Sequence, residues 1–271
     1  MKKQISKALL ALIMVIGLIP VTKAQFSISV NIAPPALITY TQPECPGDGY
    51  IWIPGSWAYS PETGYYWVPG YWTLPPDPGL YWTPGYWAFN GTSYLWNAGY
   101  WGQNVGFYGG VNYGFGYFGT GYVGGMWRGN TFVYNTAVTR VNTAIVHNTY
   151  INKNYTVNNS RVSFNGKGGI QARATATQRQ YGQQQRYEPT ADQKMHRQSA
   201  VSNTSLHYDN NGGNVKQENI DNQRQNYQNF KQQHQSEPEF KNAGRAVPMN
   251  SGSRGGQKSS GGNTNRGGGR R

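Results

Sequence analysis

The chain is 271 residues long and carries 24 lysines and arginines against 11 aspartates and glutamates, a formal charge of +13. One cysteine, Cys45, excludes an intramolecular disulfide, and four scattered histidines lack the spacing of metal ligands, so no metal or cofactor is expected. Between residues 25 and 130 the carboxylates are Glu44, Asp48, Glu62 and Asp77, the one basic residue is Arg128, and histidine is absent. That inventory is too poor for acid–base or nucleophilic chemistry, so the chain is not expected to be an enzyme and no catalytic residue is named.

Residues 1–24 read as a secretory signal peptide. Lys2, Lys3 and Lys7 precede an uncharged run of 14 residues at 8–21, and Thr22 and Ala24 supply the small side chains that a signal peptidase accepts before Gln25. The run is shorter than the roughly 20 residues a bilayer-spanning helix needs; a retained N-terminal anchor is the alternative. Export to the periplasm, outer surface or extracellular space is therefore expected, with no transmembrane segment left after cleavage. Loss of four lysines lowers the charge from +13 to +9, and the remaining excess lies almost wholly beyond residue 130.

Residues 25–49 open with Phe26, Ile28, Val30 and Ile32 on one parity, which predicts an edge strand ended by Pro34 and Pro35, followed by a linker. Residues 50–103 then repeat one phrase: Trp52-Ile-Pro-Gly-Ser-Trp57, Trp67-Val-Pro-Gly-Tyr-Trp72, Trp82-Thr-Pro-Gly-Tyr-Trp87 and Trp96-Asn-Ala-Gly-Tyr-Trp101. The first tryptophans are 15, 15 and 14 residues apart. So regular a period marks one structural device, defined by Trp52, Gly55, Trp57, Trp67, Gly70, Trp72, Trp82, Gly85, Trp87, Trp96, Gly99 and Trp101. Each unit is about ten strand-like residues closed by a turn, and Asn90-Gly91 is the sharpest hairpin signal, so a small four-stranded antiparallel meander is expected. The internal Pro-Gly is either the centre of a tight hairpin or a bulge in one long strand; both bring the two indoles of a unit together. The bulge fits better, because L-Pro-Gly prefers type II turns that splay hairpin strands.

Residues 104–130 are rich in glycine, Tyr and Phe, either a flexible loop or a lid on the tryptophans. Residues 131–170 predict short strands at Val138 to Val141, Ala144 to Val146, Tyr150 with Ile151, and Tyr155 to Val157. From 171 to 271 only 13 of 101 residues are Val, Ile, Leu, Met, Phe, Tyr or Trp, which predicts a disordered cationic tail rich in Gln, Asn, Arg and Gly. One short helix is predicted within it at 190–201, with Thr190 as cap and Asp192 in the first turn.

The tandem Tyr-x-Trp-x-Pro-Gly-x-Trp phrase, followed by Trp101-Gly and Gly106-Phe-Tyr-Gly-Gly-Val-Asn-Tyr-Gly-Phe-Gly116, resembles the bacterial YXWGXW (WXXGXW) repeat-containing proteins over about residues 50–164. The resemblance implies a secreted or envelope-associated bacterial protein, with no established activity, catalytic residue or cofactor to carry over. The expected fold is mainly β, and the expected role is an exported, non-enzymatic structural or binding protein of the cell envelope. The indoles serve either as the core or, left exposed, as platforms for a polysaccharide, with Tyr66, Tyr71, Tyr86 and Tyr100 as ligand-facing candidates on the outer face. Arg254, Arg266, Arg270 and Arg271 are candidate contacts to an anionic envelope polymer, by a sequence-blind mechanism that involves no specific nucleic acid. A self-assembling extracellular matrix protein is a further alternative.

Overall fold

The structure, a computed structural model, describes residues 28–157, 159–234 and 244–249. The expected signal peptide and the four terminal arginines lie outside the described residues. β1 (Ser29–Val30) pairs antiparallel with Leu95 and Tyr94 and occupies one edge of a four-stranded sheet, so the predicted edge strand is present in short form.

Each of the four units is a strand bent once. The first comprises β2 (Ile51–Ile53) and β3 (Ser56–Ser60), the second β4 (Gly64–Val68) and β5 (Tyr71–Thr73). The third comprises β6 (Tyr81–Thr83) and β7 (Tyr86–Phe89), the fourth β8 (Tyr94–Asn97) and β9 (Tyr100–Gly102). The bends fall at Pro54-Gly55, Pro69-Gly70, Pro84-Gly85 and Ala98-Gly99, inside long strands and not at hairpin tips. β2 pairs with β5 and β3 with β4, while β6 pairs with β9 and β7 with β8, all antiparallel.

The chain is mainly β, but the units form two hairpins and not one continuous meander, since no strand pair joins the second unit to the third. The linker between them carries Pro75, Pro76 and Pro78, which fix φ and offer no N–H for a tight return. The predicted Asn90-Gly91 turn closes the second hairpin: Asn90 Oδ1 accepts from the N–H groups of Thr92 at 3.0 Å and Ser93 at 2.9 Å, with Gly91 at φ +109°. The two hairpins meet where Trp87 Nε1 donates to the Trp57 carbonyl at 3.0 Å.

Pairing places indoles opposite one another between units, not within a unit as the sequence suggested. Trp52 faces Trp72 with ring centroids 5.2 Å apart, Trp57 faces Trp67 at 5.4 Å, Trp82 faces Trp101 at 5.4 Å and Trp87 faces Trp96 at 5.3 Å. Such tilted pairs add about 0.5–1.5 kcal/mol each beyond the area they bury. The glycine of the motif has a steric reason. A Cβ at Gly55 would lie 2.5 Å from Trp67 Cζ2, and one at Gly70 would lie 2.6 Å from Trp52 Cζ2. Gly85 meets Trp96 and Gly99 meets Trp82 in the same way. None of the four has a positive φ, so glycine is required here for close approach alone.

The glycine-rich segment is a lid. β10 (Asn112–Gly114) and β11 (Tyr117–Phe118) form a hairpin from which Tyr113 donates its hydroxyl proton to the Gly85 carbonyl at 2.5 Å, and Tyr117 to the Trp82 carbonyl at 3.0 Å. β12 (Gly125–Arg128) and β13 (Thr131–Asn135) pair antiparallel, and β14 (Thr149–Tyr150) joins β13 in parallel. Of the short strands expected in 131–170 only that at Tyr150 forms, reduced to Thr149–Tyr150. The others are replaced by turns or unpaired chain, because Asn135, Asn142 and Asn152 side chains accept from N–H groups two residues on, capturing the backbone locally. β15 (Phe164–Asn165) adds in parallel to β7.

The expected disordered tail is folded from residue 171 to 234; residues 235–243 and 250–271 lie outside the described residues. α1 (Ala176–Tyr181) precedes β16 (Arg186–Tyr187), which pairs with β9. α2 (Ala191–Val201) matches the predicted helix, with Thr190 and Gln193 forming a capping box. A 3₁₀ turn (Thr204–Leu206) and α3 (Tyr208–Asn211) lead to α4 (Gln217–Gln233). Composition misled because it counts only the apolar surface a segment brings with it. Here a few residues, Ala200, Leu206, Val215, Ile220 and Tyr227, are buried within the shared core, and Ile220 and Tyr227 sit seven residues apart on one face of α4.

Gly99→Ala is expected to lower unfolding free energy by about 3 kcal/mol in denaturant titration, since the Thr83 carbonyl 2.7 Å from the added methyl is backbone and cannot move aside. Gly47→Ala, where the nearest atom is 3.9 Å away, serves as the neutral control. Ile220→Ala is expected to cost about 2–5 kcal/mol by the same titration, whereas an unstructured tail would register no change.

Candidate functional site

The side chains first singled out for ligand contact are covered. Tyr66, Tyr71 and Tyr100 are buried, and Tyr86 is half-buried against Phe107. The tail and the glycine-rich lid occupy the outer face that the sequence left open: Arg197 Nε donates to Tyr66 Oη at 3.2 Å, and the Arg186 guanidinium lies 5.2 Å from the Tyr100 ring centroid. Seven of the eight repeat indoles are buried and Trp96 is half-buried, which removes the exposed-indole platform. Cys45 is 1% exposed with its thiol donating to the Gly47 carbonyl at 3.1 Å, and burial pushes its pKa up. It is poorly placed for a disulfide with another chain.

A cleft of about 630 Å³ lies where α4 crosses the first hairpin. Pro43, Pro46, Trp72 and Leu74 form its apolar wall, and α4 presents Arg224, Gln225, Gln228 and Lys231 opposite. These four recur along α4 at the spacing of one face, so a single helix supplies the polar side.

At the deep end Asp192, placed by the Thr190 cap in the first turn of α2, accepts from Tyr227 Oη at 3.0 Å, Lys231 Nζ at 2.9 Å and Thr73 Oγ1 at 3.4 Å. A carboxylate there is also favoured by the helix N-terminus. Gln193, three residues beyond the cap, accepts a hydrogen bond from Trp101 Nε1 at 2.6 Å, so the same capping box ties α2 to the repeat.

Arg224 docks α4 on the repeat itself. Its Nε donates to the Gly70 carbonyl at 2.8 Å, its Nη1 to the Thr41 carbonyl at 3.3 Å, and it pairs with Asp221 at 2.9 Å. The guanidinium lies 5.5 Å from the Tyr40 ring and 5.8 Å from the Trp52 ring, a cation–π pair worth about 1 kcal/mol or more when desolvated. Burial holds the Tyr40 hydroxyl up at about 12 despite the N–H of Gly55 donating to it at 2.9 Å.

Behind the cleft, His196 stacks on Tyr71 at 4.0 Å and meets Tyr227 edge-on at 4.9 Å. Both of its ring nitrogens lack a hydrogen-bond partner, and burial pushes its pKa down to about 3, with Arg224 and Lys231 adding to the shift and Asp192 opposing it. Burial raises the Tyr71 and Tyr227 hydroxyls well above their usual range. At neutral pH the imidazole is therefore uncharged and the phenols are protonated. The group hydrogen-bonds and packs; it does not hold a proton poised for transfer near pH 7. Among the described residues no three His, Cys, Asp or Glu side chains gather as metal ligands, and no helix is long and apolar enough to cross a membrane.

Of these residues the sequence pointed to Asp192, through the Thr190 cap, and to Tyr71, Trp72 and Trp101, through the repeat. Arg224, Tyr227 and Lys231 were hidden in a segment whose composition argued against folding, although their recurrence at three, four and seven residues was the available signal.

The family model for the WXXGXW repeat matches in two copies, residues 47–73 and 81–101. Each copy spans one hairpin, so the recurring structural unit is a pair of Trp phrases. No curated protein and no solved structure matches the chain.

His196 gives stability a definite pH dependence. Its folded pKa lies below the ordinary 6.5, so the unfolded chain binds the proton first; the contribution is complete above about pH 6.5 and is lost as pH falls toward 3. The expected slope is about 1.4 kcal/mol per pH unit in that window. Denaturant titrations between pH 3.5 and 7 should show this slope in the difference between the natural protein and His196→Phe, which keeps a ring against Tyr71.

Proposed function

For a chain that carries the WXXGXW repeat as two paired hairpins, we propose an exported, non-catalytic protein of the bacterial cell envelope that binds through a cleft built on a rigid aromatic scaffold. The observation that carries this is the reciprocal burial of indole against glycine. It commits nearly all the tryptophan to the core and leaves the cleft beside α4 as the place where apolar and polar groups converge. Export is supported by the charged, apolar and small-residue order of residues 1–24. A non-catalytic role is supported by the state of the buried titratable groups: Asp192 is neutralised by Lys231, and His196 stays uncharged and shielded.

A lone buried thiol also suits a protein that must keep its fold in an oxidising compartment without disulfides. The arginines at 254, 266, 270 and 271 add positive charge suited to attract anionic envelope polymers, an attraction that weakens with salt.

Cell fractionation with N-terminal sequencing tests the placement. The expected product begins at Gln25 and is found outside the cytoplasm; an intact Met1 to Ala24 segment on cytoplasmic protein would overturn it.

A further inference from the structure

We propose that the cleft between the first hairpin and α4 binds one or two units of a neutral saccharide, with Leu74, Pro43 and Pro46 as the apolar wall and Arg224 and Gln228 as hydrogen-bonding partners. For its biological setting this rests on the reading of the chain as an exported binding protein. Four observations converge on the ligand class.

A volume of about 630 Å³ is within the range of small-ligand sites. Its walls are of two kinds, an apolar side of Pro43, Pro46 and the exposed Leu74 and a polar side of guanidinium, amide and hydroxyl groups. A sugar ring has the matching division, with C–H faces that lie on apolar surface and a rim of hydroxyls.

Two side chains of the lining are incompletely paired. Tyr71 Oη and Arg224 Nη2 are buried and have no hydrogen-bond partner. Both belong to residues that line the cleft, and a hydroxyl, which donates as well as accepts, is the group that suits an unmet phenol and an unmet N–H alike. Charge then selects a neutral molecule. Asp192 is matched by Lys231 at 2.9 Å, Asp221 by Arg224 at 2.9 Å, and Glu44 by Arg140 at 3.6 Å, so the cleft holds no uncompensated cation to capture an anion.

The test is isothermal titration of the chain from Gln25 to Arg271 with maltose, cellobiose, diacetylchitobiose and, as the anionic comparison, digalacturonate. At least one neutral disaccharide is expected to bind more tightly than digalacturonate. Gln228→Ala, an exposed position, is expected to weaken that binding about tenfold with an unchanged melting temperature, and Gln225→Trp to abolish it by filling the cleft. Absence of binding by all three neutral sugars, preference for digalacturonate, or indifference to both substitutions would overturn the assignment. Because the titration uses purified protein, its failure is separate from a failure of export, which fractionation reads independently.

Discussion

The fold depends on an exchange between two bent strands: the first indole of each Trp phrase lies where the glycine of the opposite phrase has no side chain. Trp52 lies over Gly70 while Trp67 lies over Gly55, and Trp82 and Gly99 repeat the arrangement with Trp96 and Gly85. The second indole of each phrase then packs edge-on or tilted against the first indole of the other. Every fixed letter of the motif is accounted for by this contact. The proline before the glycine is not fixed by it, which is why Ala98 can stand in the fourth unit. Leu80, where the other units lead with tyrosine, is buried, and its carbonyl accepts a hydrogen bond from Trp127 Nε1 at 3.1 Å; nothing in the structure explains the leucine side chain.

Hairpin length follows from the same exchange. Ser60 pairs with Gly64 across three intervening residues, whereas Phe89 pairs with Tyr94 across four. The first hairpin also carries one more strand pair beyond Trp57 and Trp67 than the second does beyond Trp87 and Trp96; two residues more in the strands against one fewer in the loop give a spacing of 15 from Trp52 to Trp67 and of 14 from Trp82 to Trp96. Both keep the facing indoles in register. The spacing of 15 from Trp67 to Trp82 has no such meaning, because it crosses the proline-rich linker between hairpins.

Legibility divided along the same line. Features set by neighbours in sequence could be read: the Asn90-Gly91 turn, the Thr190 cap of α2, the Pro-Gly bend within a strand and the mainly β character. The partner of each unit could not, because all four carry the same phrase and any two antiparallel neighbours would satisfy it; only Pro75, Pro76 and Pro78 distinguish the linker that does not fold back. The outward side of Tyr66, Tyr71 and Tyr100 looked free for a related reason. What covers them is a polar segment whose order depends on contacts more than 100 residues away, such as Arg224 with Gly70 and Asp192 with Thr73.

The cleft is composite, and this couples binding to the docking of the tail. One wall belongs to the first hairpin and the other to α4, so the cleft exists only while α4 is seated. Seating rests on a short set of contacts: Ile220 and Tyr227 in the core, Arg224 on the Gly70 carbonyl, and Lys231 on Asp192. A ligand that touches both walls binds the seated state and not the open one, so it must stabilise the seating by its own binding free energy. Gly70 stands at the centre of this coupling. Its missing side chain admits Trp52, its carbonyl holds Arg224, and Arg224 in turn lies over Trp52. One glycine of the repeat thereby connects the aromatic scaffold to the helix that completes the cleft.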